Sequence, residues 1–332
     1  MTAPDLAPVI RLAPAKVNLT LAIVGTRPDG FHDLHSVMVP LGLADRLSLA
    51  RAAGTDDSLH VVGVDGRAAN PSDFGSVLAA IAATRVVVGR RADTFPLAAR
   101  LEKRIPIAAG LAGGSSDAAA AIDGAADAWG ASIQGDERIR AAIAVGSDVP
   151  FFLAGGPALV EGRGERVTPL RSLVGDPPGI LLVTPAVEVS TAAAFAALDH
   201  DPAAAPSGHA NTRLTSEHLV TELSPGYHAM RADDLVKRAG IFAVANDLAG
   251  AADLLAPGLR GLRRALTRLL GTPIGLSGSG PTLWALYPSL DAAEEAARRV
   301  REELAAGRLE GPGAGAPFVA ATTIEGQGRT SA

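Results

Sequence analysis

"IPIAAGLAGGSSDAAAAIDGAADAWG" (105–130) sets a bare, glycine-rich loop directly against a strong helix former. The loop opens on Pro106 and carries Gly110, Gly113 and Gly114 around Leu111 and Ala112. Glycine lets a backbone approach a ligand closely and take positive φ. Ser115 or Ser116 is expected to cap the helix, with Asp117 in the first turn, where negative side chains are favoured. The alanines carry helix propensity through Ala126, and Gly130 is expected to end the helix. Free N–H groups and the helix dipole at such a junction favour an anion, phosphate above all. Taken alone, the cluster is equally a tight strand-to-helix turn that binds nothing. It is not a Walker loop, because no lysine follows the glycines, and it does not supply G-x-G-x-x-G.

The chain around this loop has 332 residues, 48% of them hydrophobic, enough for two domains or one large one with a sizeable core. A net charge of −5 leaves no basic footprint for nucleic acid. The absence of cysteine excludes a disulfide scaffold, a thiol nucleophile and a thiolate metal site, and fits a reducing compartment. No apolar run is read as approaching the roughly 18 residues of a membrane span. "MTAPDLAPVIRLAPAK" (1–16) lacks the basic-then-apolar pattern of a secretory signal. The expectation is a cytoplasmic protein, monomer or homodimer, with no nucleic-acid or membrane partner. Of 30 basic residues only Lys16, Lys103 and Lys237 are lysines. Genome composition explains the ratio, but not why these three persist.

Along the chain, "KVNLTLAIVG" (16–25) alternates as a strand and meets a turn at Pro28-Asp29-Gly30. "SVMVPLGLADRLSLA" (36–50) reads as strand with a break near Gly42. "LHVVGVDG" (59–66) reads as a short strand and turn, "FGSVLAAIAATRVVVG" (74–89) as a helix with a glycine stop, and "FPLAARLEKRIP" (95–106) as the strand feeding the loop. "FFLAGGPALVEGRGERVTPL" (151–170) looks like strands joined by glycine turns, and 179–199 like strand, loop, helix. The polar, proline-rich stretch 200–218 is expected to be an exposed loop or insertion. Two helices split at Pro257-Gly258 follow, then strand, glycine turn and strand over 273–289, a charged amphipathic helix over 290–307, and one last strand. There is no internal repeat. Strands and helices mix without strict alternation, so the class is α+β with a boundary near 165–175.

The loop pattern P-x-x-x-G-L-x-G-G-S-S resembles that of the GHMP kinase superfamily. "SGSGPTLWAL" (277–286) resembles a further motif of that family, a glycine turn that buttresses the phosphate loop. "PAKVNLTLAIVGTRPDGFHDL" (14–34) and "GSDVPFFLAGGPALVEGRGERVTPL" (146–170) resemble two motifs of one branch of it. Members of that branch phosphorylate a cytidine diphosphate-linked methylerythritol in non-mevalonate isoprenoid biosynthesis. The four motifs stand in the family's order.

The resemblance implies a two-domain GHMP kinase fold: residues 1–170 as an N-terminal domain with a left-handed βαβ unit, and 171–332 as a ferredoxin-like C-terminal domain. It implies ATP and Mg²⁺ as cofactors, with ATP held by Pro106, Ile107, Ala108, Ala109, Gly110, Leu111, Ala112, Gly113, Gly114, Ser115 and Ser116. Lys16 and Asp148 fall at the family's catalytic positions, and Asn18, Phe31 and His32 at positions that contact the substrate. Three positions depart from the pattern. Ala112 stands where glycine is common. Phe31 replaces a tyrosine, keeping the ring and losing the hydroxyl. Asn70 lies off the position of an asparagine near the adenine pocket, closer to which stand Gly75 and Ser76.

The chemistry has its own logic. γ-Phosphoryl transfer to an alcohol needs the nucleotide held in line and its charge neutralised. A carboxylate such as Asp148 can take the alcohol proton, and a lysine such as Lys16 keeps it ionised and stabilises the developing alkoxide. Alone, Asp148 reads as a turn carboxylate and Lys16 as a strand-end charge; the joint pattern favours catalysis. Phe31 is read as a stacking platform for cytosine and His32 as a partner for its edge. His35 is given no role, Trp129 and Trp284 are read as core, and Asn246-Asp247 as structural. Two rivals stay open: another GHMP kinase such as homoserine kinase, which has no need of "DGFHDL", and a nucleotide-binding protein without catalysis, which has no need of both Lys16 and Asp148.

Overall fold

The computed structural model describes residues 7–89, 91–200 and 209–326. Two long antiparallel strands, β1 (Val9–Thr26) and β2 (His32–Arg51), form its backbone, joined by the expected turn with Gly30 at φ 82. β3 (Ser58–Val62), β4 (Ala68–Ala69), α1 (Gly75–Val88) and β5 (Leu97–Glu102) follow. β3 and β5 pair in parallel with α1 crossing between them, a βαβ unit. Next come α2 (Gly113–Ala128), α3 (Asp136–Val145), α4 (Val149–Leu153), β6 (Ala158–Gly162) and β7 (Arg166–Pro169). The first sheet runs β4-β3-β5-β2-β6-β7, with β1 on β2.

The second half holds β8 (Gly179–Thr184), α5 (Thr191–His200), α6 (His209–Leu223), α7 (Ala232–Lys237), α8 (Ala239–Ala243), α9 (Ala249–Leu255) and α10 (Leu259–Leu270). β9 (Gly275–Leu276), β10 (Leu283–Tyr287), α11 (Leu290–Ala305) and β11 (Phe318–Thr323) complete it. Its four strands run β11-β8-β10-β9, all antiparallel. One core lies between the first sheet and α1 to α4, another behind the second sheet. A third joins the two sheets, with Val17, Leu19 and Val39 against Ile180, Leu182 and Trp284. The glycine turn of the second half is thereby held against the loop between β5 and α2 of the first.

Several expectations change. Gly42 does not break β2. The irregularity expected there is a bulge: Leu41, Gly42 and Leu43 lie opposite Ala15 alone, between the pairs Pro14–Ala44 and Lys16–Pro40, and the strand continues. Phe151 to Leu153 are helical, because Phe151 and Phe152 turn into the core as the inner face of α4. Residues 209–218 belong to α6 rather than to a loop. Its inner face is made partly of small polar groups, Thr212 and Ser216 beside Leu219, which blur the apolar period. Residues 201–208 lie outside those described. The stretch Pro71–Val88 does have the length and mean hydropathy, 1.3, of a membrane span, contrary to the reading that no run approaches it. Here it packs Val77, Ala80, Ile81 and Val88 into the core, with Arg85 paired to Asp57.

Candidate active site

The loop between β5 and α2 turns on three residues of positive φ: Ala108 at 52°, Gly110 at 74° and Ala112 at 53°. Gly113 and Gly114 are already helical, so Ala112, in the left-handed region, is the N-cap of α2. Ser115 and Ser116 therefore sit inside the first turn rather than capping it. Asp117 lies one turn in, buried, and not in the first turn. Ser116 bonds its N–H back to Ala112, which leaves the N–H groups of Gly113, Gly114 and Ser115 without a partner among the described residues. Ser76 Oγ donates to the Gly114 carbonyl at 3.1 Å, whereas Asn70 only caps a short turn by accepting from Ser72 N–H.

Three successive carbonyls of the loop, those of Ala109, Gly110 and Leu111, are held. Ala109 O accepts from Thr282 N at 3.3 Å, and Leu111 O from Lys16 N at 3.1 Å. Gly110 O accepts from Lys16 Nζ and from Ser277 Oγ, both at 2.9 Å. The glycine turn 277–280 thus packs directly on the loop: a Cβ on Gly110 would lie 2.4 Å from Ser277 O. Asn246 steadies that turn from behind, donating to Leu276 O and Gly278 O. Asp247 Oδ2 accepts from Ile23 N–H on β1.

Lys16 is buried at the point where β2 bulges opposite it. Its Nζ donates to Asn18 Oδ1 at 2.8 Å, and Asn18 Nδ2 donates in turn to Ser36 Oγ, which fixes the amide's orientation. Burial pushes the ammonium below its usual pKa, and the charge of Asp148 pulls it part of the way back. Asp148 stands at the N-cap position of α4 but makes no side-chain cap bond, so the turn-carboxylate reading does not describe it. The structure joins Lys16, Asn18 and the loop by hydrogen bonds, with Asp148 near enough for its charge to act on Lys16.

Phe31 and His32 lie at the far end of the β1–β2 turn. Phe31 is 49% exposed, with the Arg163 guanidinium 3.8 Å over its ring. His32 is buried, stacked on Phe195 at 4.8 Å, its Nε2 engaged by Asp199 Oδ1 at 2.8 Å. Neither Phe195 nor Asp199 stands out in sequence, because both lie on a helix more than 160 residues from His32, as the Asp199 separation of 167 measures. His35, without an assigned role, bonds Ser216 through Nδ1 at 2.8 Å. Trp129 and Trp284 are core, as expected.

Known proteins frame this geometry. The family model "GHMP kinases N terminal domain" matches residues 77–156 and "GHMP kinases C terminal" matches 230–306. The 4-diphosphocytidyl-2-C-methyl-D-erythritol kinase of Exiguobacterium sibiricum is 35% identical over 283 residues, 84% of this chain and 88% of that one. A crystal structure of 4-(cytidine 5'-diphospho)-2C-methyl-D-erythritol kinase superposes with a TM-score of 0.64 and 29% identity, covering 95% of this chain and 99% of the other. Homoserine kinase from Cytophaga hutchinsonii reaches 0.66 at 18% identity, with 98% of each chain covered. Shape alone therefore does not separate the two activities; sequence does.

Proposed function

Since the chain belongs to the GHMP kinase family and, within it, to the 4-diphosphocytidyl-2-C-methyl-D-erythritol kinases, we propose that it transfers the γ-phosphoryl group of ATP to the 2-hydroxyl of 4-diphosphocytidyl-2-C-methyl-D-erythritol, a step of non-mevalonate isoprenoid biosynthesis. The observation that carries the assignment of roles is Lys16. One ammonium is bonded to a carbonyl of the phosphate loop and lies in the field of the Asp148 carboxylate. The free N–H groups of 113–115 receive the phosphates. Asp148 accepts the proton of the attacking hydroxyl, and Lys16 stabilises the oxygen that becomes negative. Two of the three Nζ hydrogens are already committed, so Lys16 is aimed rather than free to swing.

Mg²⁺ fits as the nucleotide's own counter-ion. No cluster of three acidic or histidine side chains stands ready among the described residues, and Asp148 is the carboxylate beside Lys16. Phosphate oxygens and water would hold the ion, with at most that one carboxylate. When bound it neutralises charge on the transferring group.

Phe31 offers an exposed ring for the cytosine face, and His32 a polar edge beside it once Asp199 yields its bond. The division into 1–170, with the loop, Lys16 and Asp148, and 171–332, with the glycine turn, is supported by the two sheets. A cytoplasmic monomer or homodimer completes the proposal. Incubation with ATP and 4-diphosphocytidyl-2-C-methyl-D-erythritol, with homoserine and mevalonate in parallel, tests it by ³¹P NMR of the product. A new phosphomonoester on the first acceptor alone is expected; phosphorylation of homoserine instead would move the chain to the rival activity.

A further inference from the structure

Beneath the phosphate loop lies a buried cluster of three charges that the chemistry above does not use. Lys103 Nζ donates to Asp117 Oδ2 at 2.7 Å and to Asp45 Oδ2. Asp45 Oδ1 also accepts from the N–H groups of Arg104 and Ile105, which fixes the loop's entry. The ammonium presses against the loop's exit, since a Cβ on Gly113 would lie 3.2 Å from Nζ. Gly113 is the first helical residue and one of the free donors, and Asp117 is one turn behind it. With one cation and two carboxylates, the cluster is net negative directly behind a site for a polyanion. Asp117 Oδ1 is buried and has no hydrogen-bond partner among the described residues.

A buried carboxylate without a partner on one oxygen is costly when ionised. A triphosphate on the far side of one helical turn makes that ionised state costlier still, because in a buried setting the two charges are poorly screened. We propose that Asp117 takes up a proton from solvent when the nucleotide's phosphates bind the loop, so that ATP is held by the enzyme with Asp117 neutral and one unit of negative charge removed from beneath it. This rests on the reading of 110–116 as the ATP loop.

The surroundings agree. Burial pushes Asp117 up to about 7, against the pull of Lys103 and with the help of Asp45, which can accept a hydrogen bond from the protonated form. The two carboxylates hold Lys103 above its usual value despite its burial, so the cation stays charged throughout. On the elements packed against α2, Arg11 is paired with Asp127, Lys16 with Asn18 and Gly110, Arg46 of β2 with Glu102, Arg85 with Asp57 and Arg138 with Asp123, while Asp148 at the N-cap of α4 acts on Lys16.

Linkage fixes the sign. The free enzyme loses the Asp117 proton as pH rises through about 7, while the bound enzyme keeps it, so affinity for ATP falls with rising pH. If the bound form keeps its proton throughout, Kd rises about tenfold between roughly pH 6 and 8. Titration calorimetry with Mg-ATP on the full-length protein, in buffers of different ionisation enthalpy, counts the proton directly. Uptake of about half a proton near pH 7 and nearly one near pH 8 is expected beyond that of an Asp117→Asn protein. The variant keeps the shape and leaves Lys103 paired with Asp45, and the phosphates' own titration cancels in the comparison. ATP binding with no proton uptake by the wild type, or with the same pH dependence in both proteins, would overturn the inference alone. Failure of the wild type to bind ATP at any pH would overturn the loop assignment and this inference with it.

Discussion

Replacing Gly110 with alanine adds one methyl group at the joint between the 106–112 loop and the glycine turn 277–280. Two costs can be separated. Gly110 has φ 74, and an L-residue in that region is disfavoured by roughly 1–2 kcal/mol. The new Cβ would also lie 2.4 Å from Ser277 O and 2.8 Å from Gly280 O, both backbone atoms that no rotamer change can move. Overpacking of that kind costs about 1–3 kcal/mol. The sum is about 2–5 kcal/mol, and about 3 is expected, because the two loops can part slightly. Parting them stretches the bonds that Lys16 Nζ and Ser277 Oγ make to Gly110 O, so the Lys16 ammonium loses its anchor. Urea unfolding reads the first effect as a lower midpoint at unchanged m. Steady-state kinetics reads the second as a raised KM for ATP with a lowered kcat. Gly66→Ala is the control: its φ is 77, yet nothing lies within 4 Å of an added Cβ. It should cost only the conformational part, about 1 kcal/mol, and leave kinetics alone. A Gly110→Ala protein within about 1 kcal/mol of wild type and with unchanged ATP kinetics would refute the packing of the two loops and the coupling to Lys16.

With three lysines in the chain, ¹³C NMR of lysine ε-methylene groups resolves Lys16: it should titrate below its solution value, and Asp148→Asn should move it lower still, because the charge of Asp148 holds it up; an unmoved Lys16 would break the pairing. For the same reason the alkaline limb of kcat should fall at a pH below the usual lysine range, since Lys16 must stay protonated. Phe31→Ala should weaken binding of the cytidine substrate by roughly 1–3 kcal/mol while ATP binding holds, measured by calorimetry with each ligand; equal losses for both would remove Phe31 from base recognition. Ala112→Gly should leave thermal stability unchanged or raise it by up to about 1 kcal/mol, relief of left-handed strain outweighing the unfolded-state entropy of glycine; a clear destabilisation would argue against the αL conformation.

The site's chain-local parts were legible. A proline, a glycine cluster and an alanine run form a loop feeding a helix because backbone freedom and helix propensity are local properties. The cap was misread because the residue that ends the loop is Ala112 in a left-handed conformation, which its side chain does not advertise. Lys103 stood out as one of three lysines, but its partners lie 58 and 14 residues away, so its role needed the fold. Phe195 and Asp199 beside His32 were hidden for the same reason. The helical character of 209–218 was masked by Thr212 and Ser216, which turn polar side chains inward; Ser216 bonds Thr20 and His35. Long-range pairing of polar groups leaves no periodic mark in sequence.

In the proposed reaction Asp148 takes the proton of the attacking hydroxyl beside Lys16. Single-turnover transfer from ATP to 4-diphosphocytidyl-2-C-methyl-D-erythritol by Asp148→Asn, rapidly mixed and quenched, tests it most directly. A positioned base contributes about 10²–10⁴ in rate, and a loose phosphoryl-transfer transition state favours the lower half of that range. The rate of transfer should fall by at least about a hundredfold, with both ligands still binding. A folded Asp148→Asn enzyme that transfers phosphate within about threefold of the wild-type rate, a difference under about 1 kcal/mol, would contradict the claim.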